Sequence, residues 1–305
     1  MGLFSLERAA FRRRTGQRTK VSRNDTAFVR SATIGFLEYT SESAVSLGSG
    51  TLVSFGEVKG ILTCAHVVRA LRSRGDQGRE VGIAICDGRS QHWALSVPMN
   101  LVDQVMLETA GDAPHGPDLA FLRLPDLFAA QLASRGSFVN GDRQRRLRHR
   151  RPKDFGHNYQ GVAGVIAART KVAVDTPRLK IYRLNGLFGR CVVERTLKHA
   201  GLDILELRHD GGRLPASFGG TSGGGLWQLY FDPKAGPTNS PETRLVGVAF
   251  WQRGKASLNA HGSYSIYTRL YGMIVSRWPA AALRPVTALR TSRRRRKDHP
   301  RRSLS

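Results

Sequence analysis

Cysteine is scarce in this chain. Cys64, Cys86 and Cys191 are the only three in 305 residues. An odd number at such wide spacing excludes a disulfide framework and offers no zinc-ligand pattern, so no metal and no cofactor is expected. A reducing compartment fits, and the cytoplasm is the expected location. Long apolar runs are missing too. The longest, such as Leu245–Trp251, have the length of a strand and fall far short of the ~20 residues that cross a bilayer as a helix, so no transmembrane segment is expected. The first residues, MGLFSLERAAFRRRTG, contain no apolar stretch of signal-peptide length. Leu6 stands where a myristoylation site needs Ser or Thr. The Arg-rich, acid-poor start also matches the composition of a mitochondrial transit peptide, but a basic arm on an Arg-rich protein is the simpler reading. Acidic residues are few: 23 Asp+Glu face 48 Lys+Arg, a formal charge of +25. Such a charge implies anionic surroundings or partners and says nothing of the fold.

Hydrophobic residues make up 40% of the chain, enough for a core, so global disorder is excluded. The patterning divides the chain into five zones. Residues 1–28 form a basic arm. Residues 29–135 alternate short apolar runs with Gly, Ser and Asp, and Thr33–Tyr39, Gly50–Ser54, Gly60–Thr63, Val81–Cys86, Trp93–Val97 and Leu119–Leu124 read as strands. Residues 136–158, containing Arg143–Lys153, read as an exposed basic linker. Residues 159–280 resume the rhythm, with strands at Gly161–Ala168, Lys180–Leu184, Asp203–Arg208, Leu226–Phe231, Leu245–Trp251 and Tyr264–Thr268, then a helix over Leu270–Trp278 ending at Pro279. Residues 281–305 form a basic tail with too few apolar groups to order itself. No repeat of 20–50 residues is present. Two blocks of short strands predict two antiparallel barrels or sandwiches rather than a parallel α/β sheet.

Three local patterns bear chemistry. Ile61-Leu62-Thr63-Cys64-Ala65-His66 runs an apolar strand into a small-residue turn that presents one histidine. Pro117-Asp118-Leu119-Ala120-Phe121-Leu122 opens a buried strand with an aspartate. Phe218-Gly219-Gly220-Thr221-Ser222-Gly223-Gly224-Gly225 sets a serine among glycines ahead of another strand. Singly, each is more often a surface histidine, a turn aspartate or a flexible loop. Together they stand in the order His, Asp, Ser, with the first two in one strand block and the serine in the other. A site between two barrels is thereby assembled from both.

With these motifs the sequence resembles the chymotrypsin/trypsin-like serine proteases over about residues 30–278. Thr63-Cys64-Ala65-His66, Asp118-Leu119-Ala120-Phe121-Leu122 and Gly220-Thr221-Ser222-Gly223-Gly224 are similar to the family's histidine, aspartate and serine motifs. Gly247-Val248-Ala249-Phe250-Trp251 resembles its substrate-binding strand, and Ile266-Tyr267-Thr268-Arg269 its last strand before a closing helix. The resemblance implies an all-β fold of two antiparallel six-stranded β-barrels with a C-terminal helix. It also implies a serine endopeptidase acting through His66, Asp118 and Ser222, with the Gly220 and Ser222 amides as oxyanion hole. The residue types suit that chemistry. A serine hydroxyl needs a base to take its proton, a histidine of reference pKa ~6.5 serves near neutrality, and a carboxylate on its other nitrogen fixes the tautomer.

The pentapeptide also fits the G-x-S-x-G elbow of α/β-hydrolases, but that motif needs a helix directly after the serine, and here a strand-like Leu226–Phe231 comes next. Thr221 replaces the acid that pairs with a new N-terminus in digestive family members, so activity without N-terminal processing is expected. Cys64 reads as a small buried residue. These departures resemble intracellular bacterial trypsin-like peptidases. Ala216, Ser217 and Ser265 are implied to line the specificity pocket beside Phe250 and Trp251. None is charged, so cleavage after Lys or Arg is disfavoured. The expected partner is a dedicated protein substrate. The alternative is a catalytically weak protease-fold module that uses its basic segments for non-specific contact with nucleic acid or another polyanion.

Overall fold

Ile34, Phe36, Leu52 and Ile61 are buried along three consecutive strands, and so are their apolar neighbours Leu37, Val53 and Leu62. These strands are β1 (Thr33–Tyr39), β2 (Ala44–Phe55) and β3 (Val58–Thr63). The computed structural model describes residues 26–39, 44–86, 94–108, 116–150, 157–167, 171–176, 179–183, 186–210, 217–231 and 241–282. Nearly all of the basic arm and tail, and Ala216, lie outside the described residues.

The N-terminal half adds β4 (Glu80–Ile85), β5 (Leu95–Ser96), β6 (Asp103–Glu108), β7 (Asp118–Arg123) and β8 (Val139–Asn140). They form one eight-stranded sheet in the order β5-β4-β1-β2-β3-β7-β6, with β8 pairing parallel to β2. The C-terminal half holds β9 (His157–Val165), β12 (Gly186–His199), β13 (Leu202–His209), β14 (Gly225–Phe231), β15 (Glu242–Gln252) and β16 (Ser257–Gly262), which close into a six-stranded barrel. A separate hairpin pairs β10 (Lys171–Thr176) with β11 (Leu179–Arg183). The protein is therefore mostly β with one closed barrel. The second expected barrel is an open sheet among the described residues. Its end strand β5 is only two residues long and runs into Pro98, which has no amide to donate.

Among the described residues five α-helices accompany the strands: α1 (Ala27–Ala32), α2 (Ala65–Asp76), α3 (Asp126–Ala133), α4 (Gly141–Leu147) and α5 (Tyr271–Arg277). None is long and apolar enough to cross a membrane among the described residues. Two of the helical segments correct the sequence reading. The basic stretch read as a linker contains α4, which starts where the Asn140 side chain accepts the Arg143 amide at 2.8 Å. Gln144 is buried and bonds Leu245 and Thr243 of the barrel, and buried Arg244 donates to the Leu147 carbonyl at the helix end. A guanidinium there meets carbonyls the helix leaves unpaired.

The second correction is Tyr264–Thr268, expected as a strand. Ser265–Leu270 is π-helical and leads directly into α5. The cause is Asp203, more than 60 residues upstream. Its carboxylate accepts the Tyr264 amide at 3.0 Å, the Ser265 amide at 2.7 Å and the Ser265 hydroxyl at 2.5 Å. A carboxylate on the first free amides starts a helix there despite the strand-favouring Ile266, Tyr267 and Thr268. The helix then buries Ile266, Tyr267, Leu270 and Ile274. Replacing this cap, as Asp203→Ala, is expected to destabilise the fold by about 2 kcal/mol, because it leaves the Tyr264 and Ser265 amides without their carboxylate acceptor. Urea denaturation checks this.

One hydrophobic cluster spans both halves, joining Ile34, Leu52 and Phe121 of the sheet to Trp227, Val248 and Phe250 of the barrel. The site sits on this seam.

Candidate active site

The register of the first sheet brings histidine and aspartate together. Thr63 at the end of β3 pairs with Ala120 of antiparallel β7, so the residues just after Thr63 lie beside Asp118. There the chain turns into α2, whose apolar face of Ala65, Val67, Val68 and Leu71 is buried. The first amides of a helix have no intrahelical partner. The Asp118 carboxylate meets one of them, accepting the His66 N–H on Oδ1 at 2.9 Å. Its Oδ2 lies 2.5 Å from His66 Nδ1. Both oxygens thus grip the same histidine. Burial raises the Asp118 carboxyl, but the hydrogen bonds and charge of His66 outweigh it and hold the group below its ordinary value of 3.8.

The serine loop is fixed from the other side. Gly223 donates to the Ala249 carbonyl of β15 at 2.8 Å, and Gly224 to the Thr221 carbonyl at 2.8 Å. Ser49 of β2 crosses the seam, its amide bonding the Ser222 carbonyl at 2.7 Å and its hydroxyl the Gly220 carbonyl at 2.6 Å. Gly48 is pinched between the two halves. A Cβ there would lie 2.7 Å from the Val67 side chain, one residue past His66, and 3.3 Å from the Ser222 carbonyl. Gly48 thus has the first turn of α2 on one side and the Ser222 backbone on the other. Among the described residues no hydrogen bond joins the Ser222 hydroxyl to His66.

The loop amides alternate. Those of Gly219, Thr221, Gly223 and Gly224 donate to Ser217 Oγ, Phe218 O, Ala249 O and Thr221 O. Those of Gly220 and Ser222 have no acceptor among the described residues. Their directions are fixed, since a trans peptide points its N–H opposite its carbonyl. The Gly219 carbonyl accepts Ala167 N–H and the Thr221 carbonyl accepts Gly224 N–H, each at 2.8 Å. Thr221 itself is buried and turns its hydroxyl onto the Phe218 carbonyl at 2.6 Å.

The expected pocket residues are scattered. Ser217 is exposed and accepts the Gly219 amide. Trp251 is half-buried on β15. Phe250 is buried with its ring on His261, and Ser265 is fully buried with its hydroxyl committed to Asp203. Neither of the last two presents its side chain to solvent.

Cys64 is buried, donates to the Ala249 carbonyl at 3.2 Å, and has its thiol pushed well up by burial, so it remains a neutral thiol. Its sulfur, His66 and Asp118 offer metal-ligand atoms within 4.8 Å of one another. All three already have protein partners. Sequence reasoning passed over His261 of β16. Its Nε2 accepts the Asp118 amide at 3.1 Å, and its ring stacks on Phe250 at 4.3 Å. Burial pushes its pKa down from 6.5 to about 4. Between those values the unfolded chain holds a proton that the folded chain lacks, so stability falls as pH drops from about 6.5 to about 4 and is intact above. The expected loss is about 3 kcal/mol. It disappears from the pH profile of thermal unfolding in His261→Gln.

No family model matches the chain, and no curated protein matches it. It is similar in fold to solved structures. One is an inactive form of the Rv3671c protease, at 14% identity and TM-score 0.42, covering 81% of this chain and 91% of that one. Another is a serine endoprotease from Yersinia pestis, at 13% identity and TM-score 0.45, covering 84% of this chain and 68% of that one. Both likenesses are distant and extend to the fold alone.

Proposed function

We propose that this protein is a serine endopeptidase that cleaves peptide bonds through His66, Asp118 and Ser222. The observation that supports it most is the His66–Asp118 pair, gripped at 2.9 and 2.5 Å on the same seam as the serine loop. Ser222 Oγ attacks the scissile carbonyl while His66 Nε2 takes its proton. Asp118 on Nδ1 keeps the proton-free nitrogen toward the serine and stabilises the imidazolium that forms. The free amides of Gly220 and Ser222 receive the developing oxyanion, a contribution worth about 10²–10³-fold in turnover per donor. The imidazolium then protonates the departing amine, and water, activated by the same histidine, releases the acyl group from Ser222. The endopeptidase specificity belongs to this reading.

The test uses a fluorophosphonate probe, which phosphonylates an activated serine whatever the natural substrate. The full-length chain, unprocessed at its N-terminus, is expected to label, and Ser222→Ala is expected not to. A wild type that stays unlabelled, or a Ser222→Ala variant that labels equally, overturns the proposal.

A further inference from the structure

His261 has features that a plain core residue would not retain. It is fully buried on β16, stacked on Phe250, and its Nε2 accepts from the Asp118 amide. Accepting on Nε2 leaves the ring proton on Nδ1. That Nδ1 is buried with no hydrogen-bond partner among the described residues. A leucine of similar volume would avoid an unpaired N–H, so the packing alone does not account for the ring.

The position of the bond is informative. Asp118 on β7 and His66 on α2 both belong to the N-terminal half, whereas His261 belongs to the barrel whose strand β14 follows the serine loop. His261 pairs in register with Val248 of β15. The next residue, Ala249, accepts the Gly223 amide directly after Ser222. A short path of backbone bonds thus runs from the nucleophile to His261, and from there to the carboxylate residue. Cys64 also bonds Ala249, tying the histidine side of the pair to the same carbonyl. The Asp118 side has His261.

We infer that His261 is a positioning residue for the His66–Asp118 pair, its Nε2 holding the Asp118 backbone in register with the barrel that carries Ser222. The inference rests on the triad reading and extends it to a residue outside the triad. With the acceptor gone, the Asp118 amide is left unpaired at the seam and the first residue of β7, beyond its pairing with β3, can shift there. A displacement of about 1 Å at a reacting group costs on the order of 10²-fold in rate.

The experiment compares the full chain with His261→Leu and His261→Gln. A glutamine side-chain oxygen reaches the place of Nε2 and accepts the same amide, whereas leucine does not. The rate of fluorophosphonate labelling reads the nucleophile. The far-downfield proton NMR signal of the short His66–Asp118 hydrogen bond reads the pair directly, independent of any substrate. His261→Leu is expected to lower the labelling rate by about 10–100-fold and to weaken the downfield signal, with His261→Gln recovering both. Where His261→Leu does not fold, His261→Asn, too short to reach the amide, takes its place. Leucine labelling at the wild-type rate with an unchanged signal overturns the inference. So does a folded glutamine variant as impaired as leucine, which would make the ring's packing responsible. Wild type that never labels sinks the protease reading instead, and the NMR comparison still decides whether His261 holds the pair.

Discussion

Asp118→Asn is expected to lower turnover by about 10⁴-fold while leaving the protein folded. The carboxylate accepts two hydrogen bonds from one residue, the His66 amide on Oδ1 and the ring on Oδ2. An asparagine has one oxygen. If it stays on the backbone amide, the NH2 group faces Nδ1 and forces that nitrogen to become an acceptor. The ring proton then moves to Nε2, the nitrogen that has to take the serine proton, and the base is lost. The asparagine has the same shape, so the variant should fold, with a melting temperature lowered only by the lost pairing of the charged carboxylate with His66. Labelling kinetics with the fluorophosphonate, run beside a melt, check both halves. A folded Asp118→Asn variant that reacts at the wild-type rate would remove Asp118 from the proposed chemistry.

Gly223→Ala should be the most damaging added methyl among the described glycines. Gly223 has φ +86, which side chains rarely adopt. Its Cβ would overlap the Ser49 carbonyl and Thr63 Oγ1. Neither can yield easily, because Thr63 donates to that same carbonyl at 2.7 Å in the middle of the sheet. Strain and overlap together are expected to cost about 4 kcal/mol or more. Since Gly223 is the residue directly after Ser222, relief of the clash displaces the nucleophile, and labelling should vanish even below the melting temperature. Gly254 is the contrast. A Cβ there meets nothing within 4 Å, so Gly254→Ala should change stability by less than about 0.5 kcal/mol. Equal melts for the two variants would contradict the described loop.

Where local pattern and tertiary packing agree, the sequence was readable. The alternation of Ile34 and Phe36 marks β1 to its ends, and the apolar run from Leu245 marks the middle of β15. Misreadings arise where distant partners decide. Ile266, Tyr267 and Thr268 favour a strand by themselves, but Asp203 imposes a helix from the neighbouring strand β13. In α4 the density of arginine hides Gln144, the buried residue that docks the helix on β15. The Thr-Cys-Ala-His run looks like a turn because its helical face begins only with Val67 and Val68. Of the candidate site, His66 and Asp118 are motif residues whose contact comes from strand register. His261 is a lone histidine in the sequence. Its contact with Asp118 exists only once two sheets from different halves have met, so no local signal announces it.

The Ser49 bonds to Ser222 and Gly220 have a further consequence for how the molecule comes into being. The hydroxyl of Ser49 and the carbonyl of Gly220 are 171 positions apart in the chain. Contacts that close loops of this length form late, after local hairpins have already gained most of their strand content. The loop that carries the serine is shaped by these bonds and by Ala249, itself downstream of the loop. On refolding, strand signal should therefore return well before the capacity to react with a fluorophosphonate. A chain caught partway, with its first sheet formed and its barrel open, holds the histidine and the aspartate yet has no nucleophile aligned with them. Under the proposed chemistry, it passes through these stages unable to cut its unfinished neighbours.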